Sequence, residues 1–169
     1  METIADYIAA EGQHFIPLGR FPIATPSTSV NEALRLMRER KTRGVLVRAG
    51  KRRYRLLMEE QIGRSRRSTP AGDPTQVSLK QCLGVAPQAR TISLSQTRGE
   101  ASSAYAGDSP FRFVGVVARG EMIGLLTEAE DFEAHFFTAP TIYVCGKGHN
   151  YLPPPPRLCR IDGTPVKPA

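Results

Sequence analysis

Gly44-Val45-Leu46-Val47-Arg48-Ala49-Gly50, running on into Leu56-Leu57-Met58-Glu59-Glu60-Gln61-Ile62, is echoed later in the chain. The echo is Val114-Gly115-Val116-Val117-Ala118-Arg119-Gly120, followed by Gly124-Leu125-Leu126-Thr127-Glu128-Ala129-Glu130-Asp131. Each copy reads as a buried strand, a tight turn, a second apolar strand and an acidic helix start. A unit given twice in 169 residues implies two small motifs that share one core, with equivalent crevices where they meet.

The flanking sequence extends both copies. Ser29 and Glu32 have the spacing of a capping box, and Val30, Ala33, Leu34 and Met37 then make one apolar helix face. Thr91-Ile92-Ser93-Leu94 alternates like a strand, and Thr97 and Glu100 repeat the capping-box spacing before a weaker helix at Ala101–Tyr105. Phe113–Val117 is nearly all apolar, as in a strand buried on both faces, Met122–Leu126 pairs with it, and Glu128–Phe137 closes the unit as a helix. Residues 1–12 read as a short helix with Ile4, Tyr7 and Ile8 toward the core. Residues 63–76, rich in Arg, Ser, Gly and Pro, read as a mobile linker. The expected organisation is a first motif over 1–66, linker and second motif over 67–138, and a separate tail over 139–169.

The order strand, capped helix, buried strand, turn, strand, helix, given twice, resembles a tandem pair of CBS (cystathionine β-synthase) domains, the Bateman module. The resemblance spans about residues 14–137 and implies an α/β fold of two β-α-β-β-α units around a shared core. Gly124-Leu125-Leu126-Thr127-Glu128-Ala129-Glu130 is similar to the family's Gly-φ-φ-Thr/Ser-x-x-Asp signature, with Glu in place of Asp. Such pairs typically bind ATP, ADP, AMP or S-adenosylmethionine between the copies. The resemblance therefore implies an adenine-nucleotide site at Gly124, Thr127 and Glu130. Thr127 would contact phosphate beside free N–H groups, and Glu130 the ribose diol. Asp131 is the ribose ligand in an alternative register, and Arg119 or Arg112 would offset phosphate charge. In the first copy Arg55 stands at the glycine, Met58 at the threonine and Gln61 at the acid. Met58 cannot donate to a phosphate, so one nucleotide at most is expected. CBS pairs usually associate through their helices, which implies a homodimer using the Val30–Met37 and Phe132–Phe137 surfaces.

After Phe137 the character changes. Tyr143-Val144-Cys145-Gly146-Lys147-Gly148-His149 leads through Pro153–Pro156 to Cys159-Arg160-Ile161-Asp162-Gly163. Two Gly-bearing turns, each opened by a cysteine, resemble a small zinc-ribbon or rubredoxin-like knuckle pair. The set would be Cys145, His149, Cys159 and Asp162, donor types that suit a structural Zn²⁺. If Asp162 turns away, the fourth position goes to water, His135 or a partner chain. A tail of about 30 residues has too little apolar surface for its own core, and a metal commonly supplies the missing stability. The alternative is a Pro-rich tail with two incidental cysteines. The proline run reads as an extended spacer between the knuckles. Cys82 reads as a small buried hydrophobe, and His14 as structural or solvent-facing.

Composition sets the outer limits. With 40% hydrophobic and 23% charged residues the chain is globular in type. No apolar run reaches the roughly 20 residues of a membrane span. The N-terminus lacks the basic-then-apolar order of a secretory signal, and three cysteines make no disulfide framework, so a cytoplasmic protein is expected. The formal charge of +7 points to anionic partners. Much of it lies between Arg48 and Arg67, where only Tyr54 interleaves the cations, so a single-strand stacking platform is missing. Two function classes remain. One is a non-enzymatic sensor that binds an adenine nucleotide and transmits to a partner. The other is a dimeric, zinc-dependent adaptor for nucleic acid or an acidic protein. No nucleophile elbow or phosphate-binding Gly-rich loop supports an enzyme.

Overall fold

The computed structural model describes residues 2–10, 14–68, 77–108, 110–128 and 131–169. The first unit is β2 (Ile23–Ala24), α2 (Val30–Arg40), β3 (Gly44–Arg48), β4 (Tyr54–Met58) and α3 (Glu59–Ser68). The second is β5 (Thr91–Ser93), α4 (Arg98–Ser102), β6 (Phe113–Ala118), β7 (Glu121–Thr127) and α5 (Phe132–Phe136). In each, the first strand runs parallel to the second and the second antiparallel to the third, giving the orders β2-β3-β4 and β7-β6-β5. Gly44 faces Met58 and Phe113 faces Thr127, so Met58 and Thr127 end equivalent ladders.

The N-terminal arm belongs to the second unit. Helix α1 (Ile4–Ala10) buries Ile4 and Tyr7 beside Ile92, Val114 and Leu126, and β1 (Phe15–Pro17) adds an edge strand antiparallel to β7. Gly124 makes that strand possible. A Cβ there would stand 2.5 Å from the Ile16 carbonyl oxygen and 2.6 Å from the Phe15 ring.

Local sequence explains the helices. Ser29 accepts the Glu32 N–H at 3.1 Å, but the Glu32 carboxylate turns to Arg35, so the box is only half made. Thr97 and Glu100 complete theirs in both directions. The buried face of α2 is Val30, Ala33, Leu34 and Met37.

Two expectations are corrected. The closing helix begins at Phe132 rather than Glu128, because the Glu128 N–H goes to the Arg112 carbonyl and prolongs the ladder. The stretch read as a linker is helical through Ser68, held by buried Ile62 and by Ser65, whose hydroxyl donates to the Gln81 carbonyl. Residues 69–76 lie outside the described set. A 3-10 segment, Leu79–Val85, then buries Leu79 and Cys82 under the first unit.

The core falls into three clusters. The middle one joins Leu46, Tyr54 and Leu56 of the first unit to Phe113, Met122, Leu125, Phe132 and Phe136 of the second. Each such side chain contributes about 1.5–3 kcal/mol on burial. A third small sheet, β10-β8-β9, is made by β8 (Tyr143–Cys145), β9 (Asn150–Tyr151) and β10 (Val166–Pro168). Ile142 and Leu152 of this lobe pack into the first unit's cluster. Among the described residues no helix is long and apolar enough to cross a membrane.

Candidate metal centre and junction clefts

Strand β8 ends on Cys145, and the chain then reverses through Gly148, whose φ of 84° suits glycine. The Cys145 N–H donates to the His149 carbonyl, and the Gly148 N–H to the Cys145 carbonyl. The second turn is built alike. Cys159 opens it, Gly163 (φ 74°) closes it, and the Gly163 N–H donates to the Cys159 carbonyl at 2.9 Å. The two knuckles face each other.

Their donor atoms converge. Cys145 Sγ lies 3.2 Å from His149 Nδ1 and 3.2 Å from Asp162 Oδ2. His149 Nδ1 lies 2.9 Å from Asp162 Oδ2 and 3.5 Å from Cys159 Sγ, and all four donors fall within 4.8 Å of one another. A tetrahedral Zn²⁺ with bonds of about 2.0–2.3 Å sets its ligand atoms roughly 3.3–3.8 Å apart. Two thiols, an imidazole and a carboxylate at this spacing fit such an ion.

The surroundings orient the donors. Thr164 donates its N–H (2.8 Å) and its hydroxyl (2.5 Å) to Asp162 Oδ1, leaving Oδ2 toward the centre. Those bonds, with help from Cys145 and His149, hold the Asp162 carboxyl well below the usual carboxylate range. Burial pushes the Cys145 thiol up, but the N–H groups of His149 and Lys147 and the Thr164 hydroxyl bring it below the ordinary value. For His149 burial opposes protonation, and Cys145 and Asp162 outweigh it, so its pKa is raised. The Tyr151 hydroxyl lies 3.2 Å from Cys159 Sγ. These second contacts fix ligand direction, as around many metal sites. His135 is not one of the four donors. Its Nδ1 lies 2.8 Å from the Asp131 carbonyl oxygen.

Two clefts lie beside the strand-to-helix junctions. At Thr127 a cavity of about 200 Å³ is lined by Tyr7, His14, Arg98, Tyr105, Thr127 and Glu128, among others. Thr127 is 4% exposed, and its hydroxyl donates to the His14 carbonyl at 3.2 Å. Gly124 is buried under β1, while Arg119 stands in the exposed β6–β7 turn, at the far end of β7 from Thr127. Gly124, Thr127 and Arg119 are thus not gathered around one cavity. Glu130 lies outside the described residues.

The larger cleft, about 640 Å³, opens at Met58, the first unit's equivalent of Thr127. It is within the usual range of ligand pockets. Leu56, Met58, Pro87, Pro110 and Phe111 form apolar wall, and Asp131 and His135 close it from the second unit. Its two cations have acidic neighbours: Arg43 meets Glu59 at 3.0 Å and Glu60 at 3.6 Å, and Arg64 meets Glu60 at 3.9 Å. Asp108 has no partner among the described ion pairs, and Asp131 Oδ2 lies 3.7 Å from His135 Nδ1, a cation only when protonated, so the described rim carries surplus negative charge. The sequence reading passed over this cleft because it sought a hydroxyl at the junction.

No protein-family model matches the chain, and no curated protein does. Solved structures do resemble it in fold. The chain is similar to a CBS domain protein from Streptococcus pneumoniae TIGR4 (TM-score 0.52, 13% identity, 72% of this chain and 78% of that one). It is similar to CbpB from Streptococcus agalactiae (0.53, 12%, 81% and 93%). A third likeness is Hypoxic Response Protein I, a structure with two coordinated zinc ions (0.53, 15%, 77% and 96%). These likenesses give the core the fold of CBS domain proteins.

Proposed function

We propose, starting from a core with the fold of CBS domain proteins, that the chain is a non-enzymatic regulatory module that senses an adenine-containing ligand. The observation that carries this is the 640 Å³ cleft at Met58, with Phe111 on its wall and carboxylates on its rim. Phe111 offers a face for the base, and Asp108 or Asp131 can accept from ribose hydroxyls. Of the adenine ligands, S-adenosylmethionine fits best. Its sulfonium and ammonium groups suit a rim whose described charges sum to surplus carboxylate, whereas ATP brings several negative charges to it. The cavity at Thr127, about 200 Å³, is smaller than ligand pockets usually are.

A second element of the reading is a structural Zn²⁺ held by Cys145, His149, Cys159 and Asp162. The convergence of those four donors supports it. Four protein ligands leave no open position for substrate, so the ion's role is to hold the lobe together.

Calorimetry with S-adenosylmethionine, ATP, ADP and AMP tests the ligand. One S-adenosylmethionine per chain is expected, at least about tenfold tighter than ATP, with the heat lost in Phe111→Ala while that variant still melts cooperatively. Silence with all four ligands at high micromolar concentration overturns the sensing role. Tighter binding of ATP overturns the choice of ligand.

A further inference from the structure

The β3–β4 turn and the β6–β7 turn meet at one end of the molecule. Arg52 Nε donates to the Gly120 carbonyl at 2.9 Å, clasping the first unit's hairpin tip to the second's. The Ala89 N–H donates to the Tyr54 carbonyl at 2.8 Å, which lays the segment before β5 along β4 and brings Arg90 beside Arg53. Arg48, Lys51, Arg52, Arg53, Arg90 and Arg119 therefore share this end, and all six are exposed. The one acid next to the two turns is Glu121, the first residue of β7. No acidic partner stands against any of the six among the described ion pairs.

We infer that this clasped pair of hairpin tips is a binding surface for the phosphate backbone of a nucleic-acid duplex. Six cations without acidic partners, drawn from separate parts of the chain, make a concentrated positive field. Such a surface matches the strongly positive character of protein–nucleic acid interfaces, whereas the core of a protein–protein interface is depleted in charge. Tyr54, the aromatic among these residues, is 2% exposed, so nothing is offered for stacking on unpaired bases. Contacts to backbone phosphates alone make the binding independent of sequence. Arg119 serves here, far from either cleft, and the surface works with or without a small ligand bound.

The test is fluorescence anisotropy of a labelled duplex of roughly 20 base pairs with the full chain, from about 20 to 200 mM salt. Affinity should fall on a log–log plot with a slope near −0.9 for each phosphate contacted, about −3 to −5 in all. Lys51→Ala/Arg53→Ala/Arg119→Ala should flatten that slope by about 2.7 and weaken binding more than about tenfold at low salt. Arg157→Ala/Lys167→Ala, which removes two cations from the C-terminal lobe, should change neither. Thermal melts of both variants establish that they fold. Absence of binding at low salt overturns the inference, as does a triple variant with an unchanged slope. Equally tight binding of a glutamate-rich peptide of matched charge overturns it in favour of an acidic protein partner.

Discussion

Asn150 reaches Asn31, 119 residues earlier, through three hydrogen bonds: its N–H to Asn31 Oδ1 at 2.7 Å, and its Nδ2 to the same oxygen at 3.0 Å and to the Asn31 carbonyl at 3.4 Å. Asn150 is 1% exposed and lies one residue past His149. The turn that carries Cys145 and His149 is thus pinned to the start of α2.

Asn31→Ala removes the acceptor and leaves the buried Asn150 N–H unpaired, at a cost of about 1–3 kcal/mol. Urea unfolding should show that loss with the slope against urea unchanged. Zinc content after purification should remain, since all four donors lie within the lobe itself. Stability equal to the parent would mean that the lobe does not need this anchor.

The metal itself should matter more. About one zinc per chain is expected by plasma mass spectrometry, and Cys145→Ser should lose it. A chelator should then lower the melting temperature of the parent and leave Cys145→Ser unaffected, because metal binding free energy adds to folding free energy.

Zinc retention should also depend on pH. The ion needs a neutral imidazole and thiolates, and it displaces their protons. The neighbours of His149 raise its metal-free pKa, so below that value a proton must leave before zinc enters. Affinity should accordingly rise as pH rises through this range and fall on acidification. Asp162, held below the usual carboxylate range, stays ionised throughout and adds no dependence near neutrality. Competition with a zinc dye at several pH values measures the slope, and a flat profile would argue against thiolate and imidazole ligands alike.

Gly124 gives a sharp packing test. An added methyl would meet the Ile16 carbonyl and the Phe15 ring at 2.5–2.6 Å, and backbone can yield little. Gly124→Ala should destabilise by about 1–3 kcal/mol, read by urea unfolding, while S-adenosylmethionine affinity at the separate Met58 cleft stays the same. A loss of affinity without a loss of stability would return Gly124 to a ligand role.

Much of this architecture was legible in the chain because the echo around Val45–Leu57 and Val114–Leu126 is written in buried strand residues, whose pattern burial enforces. The tail's donor set was legible for a similar reason. Cysteine, histidine and glycine at knuckle spacing have few other uses together, and the four donors do converge. What spacing does not record is which partner an edge strand or a side chain takes. The pairing of Phe15–Pro17 with β7 depends on the missing side chain at Gly124, which no spacing announces. The Glu32 carboxylate was free to choose Ser29 or Arg35, and the guanidinium won. The cleft at Met58 is made by Pro87, Asp108, Phe111 and His135, residues scattered over the chain with no common motif.

The same scatter gives the cleft its sharpest test. Asp108 and Asp131 are exposed on its rim, and among the described ion pairs the one contact to either is His135, 3.7 Å from Asp131. Replacing both with Asn keeps shape, leaves one acceptor oxygen in each side chain and removes two negative charges. Exposed charges at this range are worth little singly, so a change of roughly two- to fivefold per charge is expected. If the rim selects by charge, S-adenosylmethionine should weaken and ATP should strengthen in Asp108→Asn/Asp131→Asn, and raising salt should shrink both effects. Calorimetry of the two ligands side by side reads the crossing directly. Parallel losses for both would mean that the carboxylates hold the ribose, which the ligands share, and that the selecting charge lies elsewhere.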